Sequence, residues 1–94
     1  MGSGRRQRQK NLPKKLKRIR TSLELSQGGM LEKLGVADEM DRTYISAYER
    51  GRIEPPLYLL EKYARVANIC MEVLISDRHS LPDEIPAKTF YHPH

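Results

Sequence analysis

Apolar residues recur along this chain at spacings of three and four, in short blocks divided by polar or glycine-containing breaks, which is the signature of amphipathic helices. Leu12, Leu16, Ile19 and Leu23 share one face of a first helix. Asn11 stands where a cap belongs, and Pro13 falls in the first turn, where a missing N–H costs nothing. A second helix runs from an N-cap at Ser26 to Gly35, with Met30, Leu31 and Leu34 inward. Gly28 and Gly29 weaken its start, each by up to ~1 kcal/mol against Ala. Val36 then reads as buried. Asp41 caps a third helix whose Ile45 and Tyr48 face inward and which Gly51 closes. Glu54-Pro55-Pro56 forces an extended turn. Leu57, Leu60, Ala64 and Ala67 mark the core face of a fourth helix, with Tyr63 beside it and Asn68 as a left-handed terminator. Met71, Leu74 and Ile75 predict a short fifth helix ending near Asp77. Beyond His79, prolines 82, 86 and 93 break any helix, and Lys88 to Tyr91 could be extended.

The reading is therefore an all-α, compact five-helix domain over residues 12–77, with an arm at 1–11 and an irregular, proline-containing tail at 78–94. Charge sharpens this division. The net charge is +5, yet it is concentrated at one end. Arg5, Arg6, Arg8, Lys10, Lys14, Lys15, Lys17, Arg18 and Arg20 occupy the first twenty residues without a single acid. The remainder carries eight basic and twelve acidic residues, a net of −4. Such a localised cationic stretch is aimed at a polyanion, although a solvating tail accounts for the same composition.

Other chemistries find little support. No apolar run approaches the ~18 residues of a membrane span, and the start lacks the apolar stretch of a secretory signal. The single Cys70 cannot form an intrachain disulfide, which suits a reducing, cytoplasmic setting, and it reads as a buried, inert thiol. His79, His92 and His94 all fall near the C-terminus; His92 and His94 resemble an adventitious metal site more than a catalytic one. Gly28-Gly29 lacks the lysine and hydroxyl of a phosphate-binding loop. Neither enzyme activity, nor a metal, nor a cofactor is expected.

The most specific pattern lies at residues 26 to 57. Ser26-Gln27 is followed by Met30-Leu31 and Leu34-Gly35-Val36, then by Tyr44-Ile45-Ser46-Ala47-Tyr48-Glu49-Arg50-Gly51-Arg52 and Glu54-Pro55-Pro56-Leu57. Across residues 12 to 77 the chain resembles the Cro and phage-repressor type (XRE-like) helix-turn-helix family, whose small five-helix domains bind operator DNA. The run Ile45 to Gly51 is the strongest part of that likeness. The resemblance implies sequence-specific binding of double-stranded DNA by a small transcriptional regulator, with the helix at about 42–50 in the major groove. It also gives Gln27 a phosphate contact, and makes Glu49 a structural acid whose partner would be Arg18 or Arg20.

The physics agrees with that implication. A helix fits the major groove, where each base pair shows a distinct donor and acceptor pattern. Side chains near the N-terminus of the inserted helix reach base edges. Arg42 could fork onto guanine O6 and N7, and Thr43 or Ala47 could pack on a thymine methyl, with Ser46 one turn on. The plainer alternative for Arg42 is a solvated surface arginine. Arg50 and Arg52 stand at the helix end as candidate phosphate clamps, though solvated charge describes Arg52 equally well. Arg5, Arg6 and Arg8 of the arm are further candidates for the DNA backbone or a narrow minor groove. Tyr48 and Tyr63 read as core residues with a wet hydroxyl.

One departure from the family stands out. Eight residues separate Val36 from Ile45, where about four are usual, and Ala37-Asp38-Glu39-Met40 reads as an acidic insertion. It could bond the next helix's free N–H groups, favour cytosine edges, lengthen a flanking helix or touch a protein partner. The expected assembly is a homodimer on a near-palindrome, with the fifth helix or the segment after Leu81 as candidate surfaces. The alternative is an adaptor or antitoxin-type partner that uses the 37–40 insertion or the C-terminal tail, with secondary DNA contact. An RNA binder is a further alternative.

Overall fold

Five α-helices follow one another in the computed structural model, which describes residues 10–86: α1 Leu12–Ser22, α2 Gln27–Leu34, α3 Arg42–Glu49, α4 Leu57–Ala67 and α5 Met71–Ile75. Helix order and fold class agree with the pattern of the sequence. The first four helices all stop by one mechanism. A residue at positive φ reverses the chain, and two backbone N–H groups fold back onto the last turn. Gly35 (φ 78°) and Gly51 (φ 75°) do this after α2 and α3, and Asn68 (φ 58°) after α4. After α2, Gly35 donates to the Glu32 carbonyl and Val36 to the Leu31 carbonyl. After α1 the reversing residue is Glu24, at φ 61°, a side chain with no intrinsic liking for that region.

Helix starts are less uniform. Ser26 accepts from the Gly29 N–H at 2.9 Å, and Asp41 accepts from the Thr43 N–H at 2.9 Å. Asn11 does not act as a side-chain cap. Its own N–H and that of Lys10 instead donate to the Asp77 carboxylate, at 3.0 and 2.9 Å. A carboxylate from the far end of the domain thus faces the positive end of α1.

One core joins all five helices. Leu16, Ile19, Met30, Val36, Ile45, Leu59, Tyr63 and Leu74 are fully buried within it. Leu81 and Ile85, from the segment that follows α5, pack into the same cluster. Three local readings need correction. Leu57 is 63% exposed while Leu59 is buried. The inward stripe of α4 is Leu59, Leu60, Tyr63, Ala64 and Ala67. Leu57 lies at its edge in the first turn, where a side chain leans back toward the helix start and past its neighbours. Tyr63, read as having a wet hydroxyl, keeps it buried with no hydrogen-bond partner among the described residues. Burial comes first among the causes that push its pKa far up. Cys70, expected to be buried, is exposed at the start of α5.

Part of the basic side of α1 is drawn into the fold. Lys15 is buried and donates to the carbonyls of Val73 (2.7 Å) and Ser76 (2.8 Å), capping α5 from outside. Burial lowers its pKa, against a smaller opposing pull from Asp77. Arg18 gathers the carbonyls of Leu81, Pro82 and Asp83. Lys14 and Lys17 remain exposed.

The Asp77 contact carries a pH signature. Hydrogen bonds from the Asn11 and Lys10 N–H groups hold its carboxyl below the ordinary value of 3.8. A depressed folded pKa means the stabilisation is present above the unfolded value and disappears as pH falls through the folded one. Asp77→Asn is expected to lower the thermal midpoint at neutral pH. The variant's midpoint should also drop less than the wild type's below about pH 4. Melting curves across that range check both effects; parallel curves for the two proteins would contradict the assignment.

Candidate nucleic-acid interface

Helix α3 is eight residues long and is held from behind. Ile45 and Tyr48 turn into the core at 0% and 3% exposure. On its α2 side, Glu49 meets Arg20 of α1 in a two-pronged ion pair: Nε to Oε2 at 2.7 Å and Nη2 to Oε1 at 3.0 Å. The two side chains are 13% and 5% exposed. Arg20 also donates to the Leu25 carbonyl at 3.0 Å, tying in the α1–α2 connection. The hydrogen bond to Glu49 is the main reason the Arg20 pKa is raised. Of the two partners considered for Glu49, Arg20 is the one that pairs; Arg18 is engaged with the 81–83 segment.

With those residues facing inward, helical spacing puts Thr43, Ser46, Ala47 and Arg50 on the outward side, with Arg42 at its border. Arg42, Thr43 and Arg50 are exposed; Ser46 and Ala47 are half-buried. The Thr43 hydroxyl and N–H are both turned to the Asp41 carboxylate. These bonds lower the Asp41 pKa. The contact leaves the threonine methyl as the group available to a partner.

Gln27 sits at the start of α2, half-buried, and its amide donates to Glu49 Oε1 at 3.4 Å. It is thus engaged with α3, on the same side as the ion pair. Arg52 is exposed just beyond the Gly51 reversal, where its N–H returns to the Ala47 carbonyl. Arg5, Arg6 and Arg8 lie outside the described residues.

The acidic insertion lengthens neither helix. Residues 37–39 form a turn in which Glu39 and Met40 donate to the Val36 carbonyl at 2.9 and 3.2 Å. Val36 is buried beneath it, Met40 packs on the core, and Ala37, Asp38 and Glu39 are exposed. Asp41, not Asp38 or Glu39, caps α3. Sequence reasoning also passed over Tyr44, an exposed aromatic on α3 that stands outside the apolar Ile45–Tyr48 pair. Its signal was that aromatic ring just off the inward stripe.

Among the described residues no cluster of His, Cys, Asp and Glu could hold a metal ion, and no helix is long and apolar enough to cross a membrane. A family model described as helix-turn-helix matches residues 16–72, well over half of the chain. Neither a curated protein nor a solved structure matches.

The Arg20–Glu49 pair yields the sharpest test of this architecture. Removing one partner of a buried pair leaves the other charge uncompensated, at a cost of roughly 3–5 kcal/mol. Glu49→Ala is expected to reduce unfolding free energy by about that amount, read as a lower urea midpoint. A loss below ~1 kcal/mol would mean the pair behaves as an exposed one.

Proposed function

Because this chain belongs to the Cro and phage-repressor type of helix-turn-helix family, which binds DNA, we propose that it reads duplex sequence and acts as a small transcriptional regulator. The observation that carries this reading is the outward side of α3. Arg42, Thr43, Ser46, Ala47 and Arg50 converge there on a short helix whose opposite side is locked by Ile45, Tyr48 and the Arg20–Glu49 pair. A rigidly backed helix is what base readout requires, since a bidentate arginine contact tolerates little displacement.

In this reading Arg42 forks onto a guanine, the Thr43 and Ala47 methyls meet thymine, and Ser46 completes the base-facing set. Gln27, Arg50 and Arg52 position the helix on phosphates, and Arg5, Arg6 and Arg8 add electrostatic attraction along the backbone. An α3 of eight residues is only about 12 Å long, enough for a few base pairs. A symmetric pair of chains on a near-palindrome supplies the missing specificity. A cytoplasmic setting, in which the unpaired Cys70 thiol stays reduced, completes the reading.

Selection of bound sequences from a random duplex pool tests the whole reading. A near-palindromic consensus with half-sites ~34 Å apart, or a multiple, is expected. Binding without preference would favour an adaptor or antitoxin-type partner, with the exposed turn at Asp38 and Glu39 as its protein contact. Arg42→Ala should relax preference at one base position and cost ~1–3 kcal/mol on the selected site. An unaltered consensus would remove Arg42 from the base-reading set. Deleting residues 1–10 should weaken binding to every duplex and flatten its salt dependence. An unchanged slope would mean that the arm touches no phosphate.

A further inference from the structure

Two positive side chains of α1 meet neutral groups where a buried charge usually meets an opposite one. Lys15 donates to the Val73 and Ser76 carbonyls, and Arg18 turns Nη1 and Nη2 to the carbonyls of Leu81, Pro82 and Asp83. A carbonyl satisfies a hydrogen bond without cancelling the charge behind it. Among the described residues neither cation is in an ion pair, and nor is the exposed Lys14 beside them. The third Lys15 N–H and the Arg18 Nε–H have no partner among those residues.

Helical spacing gathers these groups. Asn11, Lys14, Lys15 and Arg18 share one side of α1. Arg20, two residues on and about 200° further round the axis, faces α3 through Glu49. The basic row therefore looks away from α3 and toward the segment after α5. Between row and segment lies an open cavity of about 200 Å³, lined by those four residues with His79 and Ser80. No acid lines it among the described residues. Two acids stand near it. Asp77, whose charge reaches Lys15, turns its carboxylate to the Lys10 and Asn11 N–H groups. Glu72 lies 3.7 Å from His79 Nε2.

We propose that this cavity binds the phosphate group of a small phosphorylated molecule, held by Lys14, Lys15 and Arg18 from α1 and by His79 from the facing segment. A phosphate monoester brings nearly two negative charges and three acceptor oxygens. The guanidinium, the ammonium groups, the imidazole, the Ser80 hydroxyl and the Asn11 amide supply donors from both walls. A carboxylate offers one charge and two oxygens, and leaves more of these donors unmet. The cavity has room for one such group and little more, so a helix or strand of a partner does not enter it. A bound phosphate ties α1 to the segment that carries Leu81 into the core, and so stabilises the folded chain by mass action. The site does not depend on the α3 reading, because the row faces the other way.

Inorganic phosphate is the probe, added to the full chain at constant ionic strength with chloride as the balancing salt. The thermal midpoint is expected to rise as the site fills. The His79 imidazole and Arg18 Nε–H resonances should shift over the same concentrations. Lys14→Gln with His79→Gln removes two exposed donors, and should raise the apparent Kd for phosphate about tenfold. If the double variant melts lower without phosphate, Lys14→Gln alone carries the same comparison by resonance shifts. A response that never saturates, or that chloride reproduces, overturns the proposal, as does a variant that binds phosphate as tightly as the wild type. DNA is the other source of phosphate. The double variant should bind duplex with the wild-type affinity and salt slope. A flatter slope would assign these cations to the DNA backbone and end the small-molecule site.

Discussion

Between α1 and α3 a guanidinium and a carboxylate lie almost out of reach of water, and the posture of α3 follows from them. Arg20 meets both oxygens of Glu49 and reaches the Leu25 carbonyl, while Gln27 closes on the same carboxylate. Three parts of the chain, α1, the α1–α2 connection and the start of α2, are thereby fixed to one side chain of α3. A planar, forked donor is needed for this; a lysine would offer a point charge and no second prong. Burying both charges is expensive, and their attraction offsets that cost only with good geometry. The pair's main effect is orientational. With Glu49 committed inward beside Ile45 and Tyr48, the rotation of α3 about its axis is determined, and Thr43, Ala47 and Arg50 must face out.

The second organising feature is the return of the chain onto α1. A domain this small buries a limited share of its surface, and here polar ties supplement the apolar core. Lys15 caps α5, Asp77 caps α1, and Arg18 secures the carbonyls of residues 81–83 while Leu81 and Ile85 enter the core. Two of the basic side chains of α1, Lys15 and Arg18, are thereby committed to backbone carbonyls. The same contacts hold the backbone at Lys10.

Between α2 and α3 the chain must turn within a longer connection than the family usually allows. It does so without disturbing either helix, because the extra residues close over the buried Val36 and Asp41 still reaches the α3 start. The acidic Asp38 and Glu39 are left at the surface of that turn. Tyr44 of α3 and Tyr58 of α4 are also left at the surface.

Much of this architecture was written locally. Periodicity placed the inward faces of α1, α2 and α3, and Ser26, Gly35, Asp41, Gly51 and Asn68 marked helix ends that the structure uses. Those features depend on residues within a turn of one another, which is why a linear reading reaches them. The motif from Ile45 to Gly51 likewise pointed to the family that matches residues 16–72. Tertiary packing alone decided that Arg20 rather than Arg18 pairs with Glu49, that Lys15 is buried, that Leu59 displaces Leu57 from the core, and that Glu24 takes a left-handed turn. It also left the Tyr63 hydroxyl dry and Cys70 exposed. Each of these depends on how elements pack against one another: a charged side chain is buried only where distant carbonyls or a carboxylate meet it, and a position at the edge of a helical stripe is buried only if a neighbouring element happens to cover it.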